Sequence, residues 1–287
     1  MKFLKPFFIS SYFLLAAGAA AISLRSLFQG EDRLSWIGVL LTWAPMLIFL
    51  ARILIFKDLA RTSARLPWIH ALTVAGVASS VFRWNELRGT ALPLAWALSG
   101  WLGFLFYVYW YSNFGARSPN FRVGKRLPSF RLKNLNGEIW DGSSLAGRPA
   151  ILIFFRGNWC PLCMAQIKEI ARQYREIESL GVRVLLVSPQ PHDQTESLAK
   201  KFDVNFEFMV DEGNLAARAL GIAQKEGLPM GLQMLGYDSE TVMPTVVILD
   251  KDGVVIWAHE TDNYRSRPEP EIYLEILRRH GFERSPS

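Results

Sequence analysis

A bundle of membrane helices followed by an α/β domain with a mixed central sheet is the fold class that the sequence predicts. Three observations carry it. Half of the 287 residues are apolar, high for a wholly soluble chain. The long apolar stretches all lie in the first 118 residues, and beyond them short apolar runs alternate with amphipathic ones. The length is also that of about two domains. The expected division is a transmembrane helical region at 1–118 and a soluble domain at 119–287, which includes a basic linker at 119–127.

Four apolar stretches read as four spans: Phe7–Leu24, Leu34–Ala51 with Pro45 inside it, Leu66–Phe82, and Ala91–Phe114. A bilayer core of about 30 Å needs roughly 20 helical residues, so the first, second and fourth qualify by length. The third is shorter and contains His70, Ser79 and Ser80. Met1-Lys2-Phe3-Leu4-Lys5 mimics the start of a signal peptide, but the apolar stretches that follow favour a retained span. Trp101, Phe104, Phe106, Tyr107, Tyr109, Trp110 and Tyr111 crowd one end of the fourth stretch, as an interfacial belt would. His70 reads as a packed histidine, and Gly100 and Gly103 as small packing residues.

Charge is unevenly spread. Residues 1–119 carry 11 Lys/Arg and 4 Asp/Glu, a net +7, whereas residues 120–287 carry 21 and 22, a net −1. The basic excess therefore belongs to the membrane half, and a nucleic-acid partner is excluded. With four spans, nine Lys/Arg (Lys2, Lys5, Lys57, Arg61, Arg65, Arg117, Arg122, Lys125, Arg126) fall on one side and four (Arg25, Arg33, Arg83, Arg88) on the other. The positive-inside rule then puts the soluble domain of this integral membrane protein in the cytoplasm. It would be extracytoplasmic if the third stretch does not cross.

In the soluble part, Phe130, Leu132 and Leu135 alternate with polar residues before an Asn136-Gly137 hairpin signal. Ala150–Phe155 and Val182–Val187 read as buried strands, Phe206–Val210 as a short one, and Val246–Leu249 and Val254–Ala258 as a hairpin across Asp250-Lys251-Asp252-Gly253. Helical patterns fall at 165–177, 194–202, 214–220 and 269–279. Strands alternating with helices predict a mixed sheet with helices on both faces. Asp211 and Glu212 read as a helix cap and a first-turn charge.

Between the first buried strand and its helix lies Arg156-Gly157-Asn158-Trp159-Cys160-Pro161-Leu162-Cys163, which holds the only two cysteines in the chain. With both in one motif no structural disulfide framework is possible, and the spacing points to thiol–disulfide chemistry. Cys160 falls where a helix amino end favours thiolate, and Arg156 can add positive charge. Cys163 is one helical turn on, within reach as a resolving thiol. Pro161 suits a first helical turn, and Trp159 either shields the sulfurs or packs in the core. Half of a zinc site is the competing reading, but His192, His259 and His280 are scattered and no metal is expected.

These residues resemble the thioredoxin superfamily, and Val123-Gly124-Lys125-Arg126-Leu127-Pro128-Ser129-Phe130 with the two hairpin signals is similar to its alkyl hydroperoxide reductase/thiol-specific antioxidant (peroxiredoxin-like) branch. The resemblance spans residues 123 to about 280. It implies a thioredoxin-like fold, a redox-active Cys160–Cys163 pair that needs no cofactor, and a cis-proline at Met243-Pro244 beside the cysteines. Peroxiredoxins carry a Pro seven residues and a Thr or Ser three residues before the attacking cysteine. Those positions here are Ile153 and Gly157. The expected function is therefore a membrane-tethered thiol–disulfide oxidoreductase with Cys160 as nucleophile. A peroxide reductase closing an intramolecular Cys160–Cys163 disulfide is the alternative, and a non-catalytic redox sensor the third. The partners implied are the lipid bilayer, a protein disulfide or a peroxide as substrate, and a thiol electron donor.

Overall fold

The computed structural model describes residues 4–87, 91–113, 115, 118–145 and 147–282. The chain divides into two compact units, one of residues 3–57 and 62–113, the other of residues 58–61 and 114–287.

The first unit is helical: α1 (Lys5–Phe28), α2 (Arg33–Phe56), α3 (Pro67–Leu87) and α4 (Ala91–Phe106), the last continuing as a π-helical turn over Tyr107–Tyr111. Lys5–Phe28, Arg33–Phe56 and Ala91–Tyr111 are long and apolar enough to cross a membrane. This corrects the expectation of four: α3 is 21 residues long, but Ser79, Ser80 and Arg83 dilute its apolar character. Those residues are spent on α2. Ser79 Oγ donates to the Leu34 carbonyl at 3.0 Å, and Arg83 pairs with Asp32 at 3.0 Å. A Cβ added to Gly38 would lie 2.7 Å from the Gly76 carbonyl oxygen, so the two backbones touch there. The pairs Asp32–Arg83 and Gly38–Gly76 run in opposite senses, and α3 retraces α2 antiparallel.

Trp36, Trp43, Met46 and Phe104 are buried in this unit, yet small and hydroxylated residues share its interior while many large apolar ones stay outside. Ala16, Ala19, Ser23 and Thr42 are buried, whereas Leu14, Phe28, Ile48 and Ile55 are exposed. Small and hydroxylated residues at helix contacts, with many large apolar ones exposed, is the pattern of helices packed in lipid. Gly100 and Gly103 act as packing residues, since a Cβ there would lie 2.7 Å from Trp43 Nε1 and 2.5 Å from the Tyr12 ring. His70 packs edge-on against Phe104.

The second unit is built on a seven-stranded sheet of order β2-β1-β5-β4-β3-β8-β9. Its strands are β1 (Arg131–Asn134), β2 (Ile139–Asp141), β3 (Ala150–Phe154), β4 (Arg183–Ser188), β5 (Glu207–Val210), β8 (Thr245–Leu249) and β9 (Val255–Glu260), while β6 (Ala223–Gln224) and β7 (Thr241–Val242) form a separate small ladder. Pairing of β3 with β4 and β4 with β5 is parallel; the other pairings are antiparallel. β3 lies between β4 and β8, and all five of its residues are buried, which is why it reads as an unbroken apolar run. The parallel pairs are bridged by α5 (Pro161–Ser179) and α6 (His192–Ala199). The right-handed rule for such crossovers carries both helices to one face of the sheet, and there α5 meets α8 (Pro270–Arg279). α7 (Leu215–Leu220) packs against β1 and β6. Asp211 accepts the backbone N–H groups of Ala216 and Ala217, both at 2.8 Å, the capping role its position suggested.

Candidate active site

β3 ends at Phe154 and α5 begins at Pro161; the six residues between them form the turn that carries the site. Gly157 adopts φ +143°, and a Cβ there would lie 2.6 Å from Trp159 Nε1, so only glycine fits. Asn158 anchors the turn: its N–H donates to Gln190 Oε1 at 2.7 Å, its side-chain amide donates to Gln194 Oε1 at 2.9 Å, and its oxygen accepts from the Tyr237 hydroxyl. Thr241 Oγ1 donates to the Arg156 carbonyl at 3.1 Å.

Cys160 is the residue at the amino end of α5, in extended conformation, and its carbonyl accepts the first helical bond from Met164 N at 3.1 Å. Pro161 follows at the first helical position, where its missing N–H costs nothing. Cys163 lies one turn inside the helix. Both sulfurs are free thiols and buried, Cys160 being 1% exposed and Cys163 fully enclosed. Each sulfur acts on the charge of the other.

The positive charge at the sulfurs comes chiefly from a residue that the sequence did not single out. Arg267, on the segment between β9 and α8, is buried; its Nη2 lies 3.3 Å from Cys163 Sγ and 3.8 Å from Cys160 Sγ. Its Nη1 donates to Gln166 Oε1 at 2.6 Å and its Nε to the Tyr264 carbonyl at 3.2 Å. Gln166 in turn donates to the Tyr273 hydroxyl at 3.3 Å. No local pattern marks Arg267, which follows Cys163 by 104 residues and is of a type seldom buried. Asn263-Tyr264-Arg265-Ser266-Arg267 carries two arginines in a turn before a helix, the one signal available.

Burial pushes the Cys160 thiol up, and the charge on Cys163 adds to that push. Burial acts the same way on Cys163, but the hydrogen bond from Cys160 and the Arg267 charge outweigh it and hold Cys163 well below the usual thiol range. Arg267 thus favours negative charge on the pair, more at Cys163 than at Cys160. At Cys160, expected as the thiolate of the helix end, enclosure opposes charge, and Arg267 stands nearer the second sulfur.

Of the other expected residues, Arg156 turns its guanidinium between two rings, 4.6 Å from the Trp159 centroid and 5.3 Å from that of Tyr264, and donates to the Gly227 carbonyl. Its pull on Cys160 is smaller than that of Arg267. Trp159 is half-buried against Arg156. Met243 and Pro244 are buried where β8 starts; Thr245 is the register partner of Phe154, so they sit at the same sheet edge as the cysteines. The Met243–Pro244 peptide is trans, correcting the cis expectation. Trans is the ordinary preference of an X–Pro bond, and here Met243 N–H donates to the Ile222 carbonyl at 2.8 Å. Among the described residues no group of three or more His, Cys, Asp and Glu could hold a metal ion.

The AhpC/TSA family model matches residues 123–258. The thiol-disulfide oxidoreductase ResA of Bacillus cereus is 24% identical over 181 residues, covering 63% of this chain and 90% of that protein. The chloroplastic peroxiredoxin Q of Populus jackii is 27% identical over 150 residues, covering 52% of this chain and 63% of that one. Among solved structures, reduced Prx3 from Vibrio vulnificus aligns with a TM-score of 0.48 at 18% identity, over 55% of this chain and 98% of that one. The matched family and the mixed sheet with its dithiol at the β3–α5 turn lead to one assignment: residues 123–258 form a thioredoxin-like α/β domain of the AhpC/TSA family.

Proposed function

We propose that this protein is a membrane-tethered thiol–disulfide oxidoreductase in which Cys160 attacks and Cys163 resolves. The observation that carries the reading is the enclosed pair of free thiols at a strand–helix turn with a buried guanidinium on both sulfurs. Cys160 is the better attacker because it opens the helix, whereas Cys163 lies a turn within it. As a substrate disulfide approaches, Cys160 passes its proton to the Cys163 thiolate and its sulfur attacks. The substrate S–S bond breaks, one substrate sulfur leaves with the electron pair, and the other stays bound to Cys160. The leaving thiolate takes the proton from Cys163, whose sulfur then attacks Cys160 Sγ and expels the second substrate thiolate. Two electrons reach the substrate, the Cys160–Cys163 disulfide remains, and an external thiol donor restores it. Since both sulfurs are enclosed, attack requires a local opening.

The name of the Bacillus cereus relative supports this reading. A second reading, peroxide reduction ending in the same disulfide, draws support from the family and from the Populus jackii peroxiredoxin. Against it stand Ile153 and Gly157, where peroxiredoxins carry Pro and a hydroxyl residue; the Gly157 backbone and the nearby Trp159 leave no room for a side chain.

The lipid-facing pattern and the three apolar helices support anchoring in a bilayer. Which side the domain faces turns on α3: crossing together with the three apolar helices, it gives the 9 to 4 division of loop charges and a cytoplasmic domain, whereas three crossings give an extracytoplasmic one. A reporter active on one side only, fused after Ser118, decides between the two.

The activity test uses the full chain in lipid, a protein disulfide as substrate and dithiothreitol as donor. Turnover is expected, with Cys160→Ser inactive; full turnover in that variant would overturn the reading. Rapid peroxide consumption without disulfide reduction would favour the second reading.

A further inference from the structure

We propose that Arg267 is the positioning residue that holds the negative charge of the reduced dithiol, and so poises the Cys160–Cys163 couple toward its reduced state and eases its recharging by the thiol donor. The inference rests on the thiol–disulfide reading above and adds the direction in which the couple is poised.

Arg267 is a buried cation whose other recorded bonds go to neutral acceptors, Gln166 Oε1 and the Tyr264 carbonyl. Among the described residues it pairs with no carboxylate, so its counter-charge is the thiolate. Oxidation turns the pair into a neutral disulfide and leaves the guanidinium enclosed without a counter-charge. A buried charge that loses its partner is strongly disfavoured. The reduced state is therefore the satisfied one, and the disulfide is driven to take electrons.

The surroundings do not offset this. Arg156, on the turn itself, is a second cation. Tyr264 contributes its backbone carbonyl to Arg267 and its ring to Arg156. Tyr273, on α8, is a phenol that burial keeps protonated, linked to Arg267 through Gln166. Near neutral pH the reduced pair accordingly holds one proton and one negative charge.

That state has a proton balance that can be measured. Exchange with glutathione reads: protein disulfide plus two glutathione thiols gives a protein with one thiol and one thiolate, glutathione disulfide and one released proton. Between the pKa of the lowered protein thiol and that of glutathione, the equilibrium constant for reducing the intact wild-type chain is expected to rise about tenfold per pH unit. A pair that keeps both protons would give a constant independent of pH. In Arg267→Gln the constant at neutral pH is expected to fall at least about tenfold, equivalent to about 30 mV toward more reducing potentials, and the slope to flatten. Arg267→Lys keeps the charge and is expected to preserve the slope. A flat profile in the wild type, or an unchanged constant in a folded Arg267→Gln chain, would overturn the proposal. If Arg267→Gln does not fold, the wild-type slope decides. Failure to form any Cys160–Cys163 disulfide would instead defeat the functional reading on which the inference rests.

Discussion

The turn Arg156–Cys163 and the segment Thr261–Arg267 meet at the two sulfurs, and they serve the site in opposite ways. The turn supplies groups that change chemical state, a thiol and a thiolate that become a disulfide. The segment supplies a guanidinium that does not change at all. Rigidity is shared: Asn158 ties the turn to Gln190, Gln194 and Tyr237, while Thr261 and Asn263 wind the segment on itself, Thr261 Oγ1 donating to the Asn263 carbonyl at 2.5 Å and Asn263 Oδ1 accepting from Arg265 N at 3.1 Å. The lesson is that reactivity and poise are separable. The motif determines which reaction is available, and a fixed charge from elsewhere sets how far the couple leans toward its reduced state.

That division can be broken from either side. The largest effect is expected on the turn: Cys163→Ser removes the resolving sulfur, so Cys160 is left in a mixed disulfide with substrate. Mass spectrometry after a single turnover should find the adduct on nearly every molecule, and release of product at the wild-type rate would contradict the assigned order. Next comes Gly157→Thr, which puts a side chain where the backbone is left-handed and Trp159 is in contact. It should destabilise the domain by about 1–3 kcal/mol, seen as a lower unfolding temperature. It should also fail to create peroxidase activity, although it restores the hydroxyl residue of a peroxiredoxin. Smallest is Tyr264→Leu, which removes one of the two rings around Arg156 and should cost about 0.5–2 kcal/mol while leaving the Cys160–Cys163 pair competent for exchange. A loss as large as that of Cys163→Ser would mean that the segment takes part in the chemistry as well as the poise.

The two regions also differ in how far the sequence reveals them. The turn is local: an apolar strand, a cysteine pair and an amphipathic helix follow one another within about thirty residues, and each forms where its pattern predicts. The hairpins at Asn136-Gly137 and Asp250–Gly253 were equally legible, because a turn signal acts within a few residues; Asp250 Oδ1 accepts from both Asp252 N and Val254 N. Arg267 was not legible, since nothing in its neighbourhood shows that the chain will bring it to Cys163. The enclosure that opposes charge on Cys160 is likewise tertiary, while the helix end that favours it is visible in sequence. The trans Met243–Pro244 bond overturned an expectation taken from resemblance alone. In the membrane unit, α3 falls short of an apolar span because residues that face α2 are polar, a compensation that hydropathy counts as a deficit.

The most direct test of the account is the midpoint potential of the Cys160/Cys163 couple in the full chain. A single two-electron couple clearly more oxidising than about −270 mV, the value of thioredoxin, is predicted. No two-electron couple, or one at or below that value, would contradict a charge-poised dithiol at the β3–α5 turn.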